Sequence, residues 1–161
     1  MNSENYRIGR GTDRHQFVTD RKLILAGIEI PHHMGLKGHS DADAVLHALS
    51  DALLGALALG DIGQHFPDTS AVNKDLNSKK ILRHCLDLVE EQGWKLVNCD
   101  LVIHTEQPKI GPHRLALRES LASMLNCDIN QVSVKAKTAE GLGPVGEGLC
   151  LDAEAVVLIS K

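Results

Sequence analysis

One long apolar stretch dictates most of the fold. From Asp41 to Leu59 the chain is rich in alanine and leucine and has helical spacing: at 100° per residue Ala42, Val45, Leu46, Leu49, Leu53, Ala56 and Leu57 share one side. Before it lie short β-type runs at Tyr6–Gly9, Leu23–Leu25 and Ile28–Ile30, so strands precede the helix. A second helix is expected from Ser78 to Gln92, stopped by Gly93. Leu96–Thr105 then alternates Val97, Cys99, Leu101 and Ile103 against Asn98, Asp100 and His104, the pattern of a half-buried strand. Pro112 opens a third helix to about Leu125, and Val132–Lys137 and Leu149–Ile159 alternate again, with Lys135, Lys137, Asp152 and Glu154 opposite the aliphatic residues. The pattern is α+β: a single domain over residues 1–161 in which helices cover one face of a mixed sheet. The other face is polar, with β-branched and small residues, and suits either solvent or a sister subunit.

Composition narrows the function. A net charge of −4 with no lysine or arginine block gives nothing to track a nucleic-acid backbone. Aromatic residues make up 2% of the chain, so the core is built of smaller aliphatic side chains and association between subunits would help stability. Cys85, Cys99, Cys127 and Cys150 are scattered without a C-x-x-C pair, which speaks against a cysteine zinc site or a redox motif and for reduced thiols in a cytoplasm. No basic leader, 18-residue apolar run, repeat or linker is visible, so neither secretion nor a membrane span is expected.

The chemistry-bearing residues sit at element ends. Asp13-x-His15 follows the first strand, and if the chain is still extended there both side chains point to one face, where a single metal could take both. His47 falls on the helix side opposite the apolar residues, with Asp43 and Asp51 four residues before and after it, either of which could receive the second N–H of a ligating ring. Ser40 caps the expected helix start with Asp43 three residues on, leaving a positive helix end suited to phosphate and His39 beside it as a further donor. The loop Gly60-Asp61-Ile62-Gly63-Gln64-His65-Phe66-Pro67-Asp68 holds two carboxylates able to accept from sugar-like hydroxyls. Thr105–Pro112 puts Lys109 between prolines at a strand end, and Lys135–Gly143 brings cation, hydroxyl and carboxylate to a glycine-rich loop. Each piece alone is ordinary. Together they supply a metal site, anion-binding donors and hydroxyl acceptors.

Three segments carry a resemblance: Arg7-Ile8-Gly9-Arg10-Gly11-Thr12-Asp13-Arg14-His15, His39-Ser40-Asp41-Ala42-Asp43 leading to Leu46-His47-Ala48-Leu49, and Gly60-Asp61-Ile62-Gly63 with Phe66-Pro67-Asp68. In this order and spacing, over nearly the whole chain, the sequence resembles the 2-C-methyl-D-erythritol 2,4-cyclodiphosphate synthase family. The resemblance implies an enzyme of non-mevalonate isoprenoid biosynthesis that cyclises 4-diphosphocytidyl-2-C-methyl-D-erythritol 2-phosphate and expels CMP. It implies zinc held by Asp13, His15 and His47, with His39 and Thr138 stabilising the transition state. His39 and Ser40 would approach the phosphates, and Asp61, Gly63 and Asp68 would hold the methylerythritol part. Pro108 and Lys109, with neighbouring backbone, would line the cytidine pocket from across a subunit boundary, Thr105 would also contact the substrate, and Glu140 would position a second cation, magnesium or manganese. It also implies a homotrimer with sheets facing a common axis. Two departures stand out. Lys137-Thr138-Ala139-Glu140 keeps only one hydroxyl and the carboxylate of the family's usual Thr-Thr-Thr-Glu, and Leu142–Gly148 is two residues shorter than the family loop and lacks its arginine, so the axial anion site tied to that arginine is not carried over. Two rivals remain on the residues alone: a zinc phosphodiesterase using the same three ligands to activate water, and a structural zinc protein.

Overall fold

The computed structural model describes residues 5–38, 40–67 and 76–161. Strand β1 (Tyr6–Val18) is far longer than the four residues expected and carries Asp13 and His15 within it. The hairpin β2 (Leu23–Leu25) and β3 (Ile28–Ile30) and the short β4 (Gly35–Leu36) lead to helix α1 (Ala44–Leu57). There follow α2 (Ile62–His65), α3 (Ser78–Glu91), β5 (Lys95–His104), α4 (Arg114–Leu125), β6 (Val132–Lys137), α5 (Gly143–Gly146) and β7 (Cys150–Ser160). The main sheet is mixed, in the order β4-β1-β7-β5-β6, with β5 and β6 parallel and the other pairs antiparallel. Helices cover one face, as the α+β reading required. The other face carries ion pairs: Arg10–Glu154 at 2.9 Å, Arg14–Asp152 at 2.6 Å, and Lys135–Asp100. Ile8 and Val156 are exposed.

Helix α1 lies directly on β1 because glycine and alanine let two backbones meet. A Cβ built on Gly11 would fall 2.0 Å from the carbonyl oxygen of Ala48, and one on Gly9 would fall 1.9 Å from that of Ala52. Only residues without a Cβ fit at that separation. Ala48, Ala52 and Ala56, four apart on the helix, form the matching flat stripe, and all are buried. This contact fixes the site: two residues beyond Gly11, on the same face of the strand, is Asp13, and one residue before Ala48 is His47.

Two expectations about α1 are corrected. The helix begins at Ala44 rather than near Asp41, and its cap is Asp43, whose carboxylate accepts from Leu46 N–H; the Ser40 hydroxyl instead accepts from Ala42 N–H. Asp43 is also not on a polar face. Its carboxylate is fully buried and accepts from Ala26 N–H at 3.0 Å and Gly27 N–H at 2.6 Å, in the β2–β3 turn where both residues have positive φ. Burial pushes its carboxyl up to about 6 despite these donors. The helix is in fact buried nearly all round, because α3 packs on the side away from the sheet. A periodicity plot of one helix could not register a second apolar partner.

Candidate active site

Strand alternation sends Gly9, Gly11, Asp13, His15 and Phe17 toward the helices. Asp13 Oδ2 lies 2.8 Å from His15 Nε2 and 2.9 Å from His47 Nδ1, and the two ring nitrogens are 3.3 Å apart. Three ligand atoms from strand and helix thus converge, and no other such cluster of three occurs among the described residues. His15 Nδ1–H donates to the Lys37 carbonyl at 2.6 Å, which in the neutral ring leaves the lone pair of Nε2 facing the centre. Burial disfavours the Asp13 carboxylate, but hydrogen bonds and attraction from His15 and His47 outweigh it and hold the carboxyl well below its usual range. Burial likewise disfavours charge on His15, and Asp13 outweighs it and raises that pKa. One carboxylate and two imidazoles, with space beyond them, fit a divalent metal having an open position.

That space is a cavity of about 240 Å³, lined by the three ligands with Gly38, Ser40 and Gly63 on its polar side and Ile62, Phe66, Leu76 and Ile81 on its apolar side. Arg21 donates to the carbonyls of Gly38 at 2.8 Å and Ser40 at 2.6 Å, tying both to one guanidinium. The structure therefore brings together Asp13, His15, Ser40, His47 and Gly63. Asp61 spends one carboxylate oxygen capping α2, accepting from Gln64 N–H. His39 and Asp68 lie outside the described residues. Neither Asp43 nor Asp51 orients His47. Asp43 is occupied as described, and Asp51 accepts from Ile62 N–H, its pKa raised by burial. The second nitrogen of His47 faces Ser78 instead, at 2.8 Å.

The remaining candidates are elsewhere in the chain. Register rows run Asp13–Ala153–Ile103–Ala136 and Arg14–Asp152–His104–Lys137, so the loops after β5 and β6 leave the sheet at the same end as the ligands but two and three strands across, about 10 Å and 14 Å at ordinary strand spacing. Thr105, Pro108, Lys109, Thr138 and Glu140 form that second cluster. Thr105 is buried, its hydroxyl donating to the Gln107 carbonyl, and Lys109 is exposed. The Thr138 hydroxyl donates to Glu140, while Glu106 accepts from the N–H groups of Ala139 at 2.7 Å and Gly141 at 3.3 Å and so shapes the loop. Sequence reasoning missed Glu106, Arg21 and Ser78, because each acts through a contact distant in the chain. The close approach at Gly11 and Ala48 did leave a signal, in the spacing of glycines on one segment and alanines on the other.

A family model described as the YgbB family matches residues 6–160. The chain belongs to the YgbB family. It is 56% identical over 96% of its length to 99% of a protein of Prosthecochloris aestuarii named 2-C-methyl-D-erythritol 2,4-cyclodiphosphate synthase. A solved structure of a synthase of that name superposes with a TM-score of 0.88 at 46% identity, covering 95% of this chain and 99% of the other. Another, in a form bound to CDP, gives a TM-score of 0.88 at 43% identity over the same shares. The mixed sheet with helices on one face is thus the architecture of these synthases.

Proposed function

We propose that this chain is a phosphorus–oxygen lyase that converts 4-diphosphocytidyl-2-C-methyl-D-erythritol 2-phosphate to 2-C-methyl-D-erythritol 2,4-cyclodiphosphate and CMP in non-mevalonate isoprenoid biosynthesis. The observation that carries it is the open Asp13–His15–His47 donor set on a cavity, in a chain of this family whose relatives carry that name. An oxygen of the 2-phosphate attacks the β-phosphorus; the bond from that phosphorus to the bridging oxygen breaks, and CMP leaves with the electron pair. The nucleophile is already a phosphate anion, so the protein has to align it and balance charge rather than supply a nucleophile.

Asp13 Oδ2, His15 Nε2 and His47 Nδ1 would hold zinc, which supplies Lewis-acid polarisation of a phosphate oxygen at its open position. Ser40, whose carbonyl accepts from Arg21, and His39 contribute donors to the phosphates. Gly63, Asp61 and Asp68 hold the hydroxyls of the methylerythritol part, and Ile62, Phe66 and Ile81 offer its methyl group an apolar wall. Thr138 donates to the transferring phosphoryl group. Thr105, Pro108 and Lys109 meet the cytidine side, and Glu140, an exposed oxygen ligand, suits magnesium or manganese.

A homotrimer closes this site. The separation of two and three strands between the metal ligands and the Thr105–Lys109 and Thr138–Glu140 loops supports a neighbour supplying those loops, and the exposed Ile8 and Val156 on the ion-paired sheet face support contact around an axis. Light scattering should return three times the chain mass. Four free cysteines are in keeping with a cytoplasmic setting, and no described helix is long and apolar enough to cross a membrane. Feeding the cytidyl substrate with zinc and magnesium and following ³¹P NMR tests the reaction. The cyclic diphosphate should appear with CMP; only linear phosphates would instead mean a hydrolytic phosphodiesterase.

A further inference from the structure

The ring nitrogen of His47 that faces away from the centre meets a side chain whose proton is already committed. Ser78, the first residue of α3, is fully buried, with its hydroxyl donating to Asp41 Oδ1 and its N–H donating to Asp41 Oδ2 at 3.2 Å. A serine hydroxyl has one proton, and the carboxylate has none to offer in return. The Ser78 proton therefore points to Asp41, and toward His47 Nε2, 2.8 Å away, the hydroxyl presents only a lone pair. Nε2 must then carry a proton and donate it. In the neutral ring this leaves the lone pair on Nδ1, 2.9 Å from Asp13 Oδ2. A lone pair and a carboxylate facing each other at that distance repel unless a cation sits between them. Ser40 Oγ, at 3.4 Å from the same Nε2, is the longer and weaker contact, and with two lone pairs it can accept there as well as from Ala42 N–H.

We infer that Ser78, held by Asp41, is a positioning residue for the metal centre: it fixes the tautomer and orientation of His47 so that Nδ1 faces the metal. The inference rests on the metal-centre reading proposed above. His15 achieves the same end with the Lys37 carbonyl, which no substitution removes. The His47 arrangement depends on two side chains from two segments, so it ties α3 and the loop before α1 to metal affinity. Such partners of a ligating imidazole typically change affinity 10- to 100-fold when lost.

The experiment is zinc titration of metal-stripped protein against a chromophoric chelator, with circular dichroism as a check on folding. Ser78→Ala should stay folded and bind zinc about 10- to 100-fold more weakly, and Ser78→Thr, which keeps the hydroxyl, should bind close to the parent. Asp41→Ala should weaken binding alone but add little to Ser78→Ala, since both act through one relay. Should Ser78→Ala fail to fold, proton NMR of the zinc-loaded parent decides the matter: the His47 Nε2–H should exchange slowly with water, and its fast exchange would overturn the proposal. Parent-like zinc affinity in folded Ser78→Ala, or full additivity with Asp41→Ala, would also overturn it. His47→Ala is the separate control; parent-like affinity there would sink the metal-centre reading itself.

Discussion

Substituting Gly11→Ala tests whether a backbone contact sets the metal geometry. The added Cβ would lie 2.0 Å from the Ala48 carbonyl oxygen, against ordinary van der Waals contact at 3.4–4 Å, so helix and strand must separate by roughly 1.4 Å or distort. The obstacle is backbone, which cannot rotate away. Overpacking of this kind costs about 1–3 kcal/mol, which for a chain of this size lowers Tm by roughly 2–4 °C per kcal/mol. The same movement carries His47, one residue before Ala48, away from Asp13, while metal ligation tolerates only about 0.2 Å. Zinc affinity should therefore fall together with stability. Gly55→Ala is the matched control on the same helix: its Cβ meets nothing nearer than 3.8 Å, and removing a helical glycine should leave the protein equally or more stable, by up to about 1 kcal/mol. Urea denaturation of the metal-free protein and chelator competition read the two effects. A Gly11→Ala protein with parent stability and parent zinc affinity would mean that the β1–α1 backbone contact does not set the metal geometry.

Further outcomes follow from named contacts. His47→Ala should abolish turnover while circular dichroism reports a folded protein; global unfolding would instead assign the metal a structural role. Asp43→Asn turns one accepting oxygen into a donor against the Ala26, Gly27 or Leu46 N–H and should cost about 1–3 kcal/mol in urea denaturation. In metal-free protein, the Asp13 pKa is lowered, so its contribution to stability holds above the unfolded carboxyl value of 3.8 and fades as pH falls below it; the His15 pKa is raised, so its contribution is full below 6.5 and fades as pH rises past its folded value. Chemical denaturation from pH 3 to 8 should therefore show these losses at the two ends, and Asp13→Asn should abolish both. Cys85 and Cys99, buried and pushed up to about 12, should resist thiol reagents until the protein is unfolded.

Much of the site is legible in the sequence. Period-2 reasoning put Asp13 and His15 on one face, and the helix carrying His47 was evident from its spacing; the structure unites the three. The strands and helices fall largely where alternation and glycine or proline punctuation placed them. What escaped the sequence are contacts between distant segments. Asp43 looked like a polar-face residue because its partners, the N–H groups of Ala26 and Gly27, have no side-chain signature. Ser78 looked like a helix start, since nothing in its neighbourhood announces that His47 and Asp41 converge on it from 31 and 37 residues away. The β-type run at Tyr6–Gly9 is only the start of β1, which continues through Gly11 to Val18 because both glycines lie where α1 presses closest.

The most direct test of the account is anomalous X-ray scattering at the zinc edge from crystals grown with zinc. One strong anomalous peak per chain is expected within bonding distance, about 2.0–2.2 Å, of Asp13 Oδ2, His15 Nε2 and His47 Nδ1, with a fourth position open to the cavity. A peak elsewhere, or none at these three atoms in fully metal-loaded protein, would contradict it.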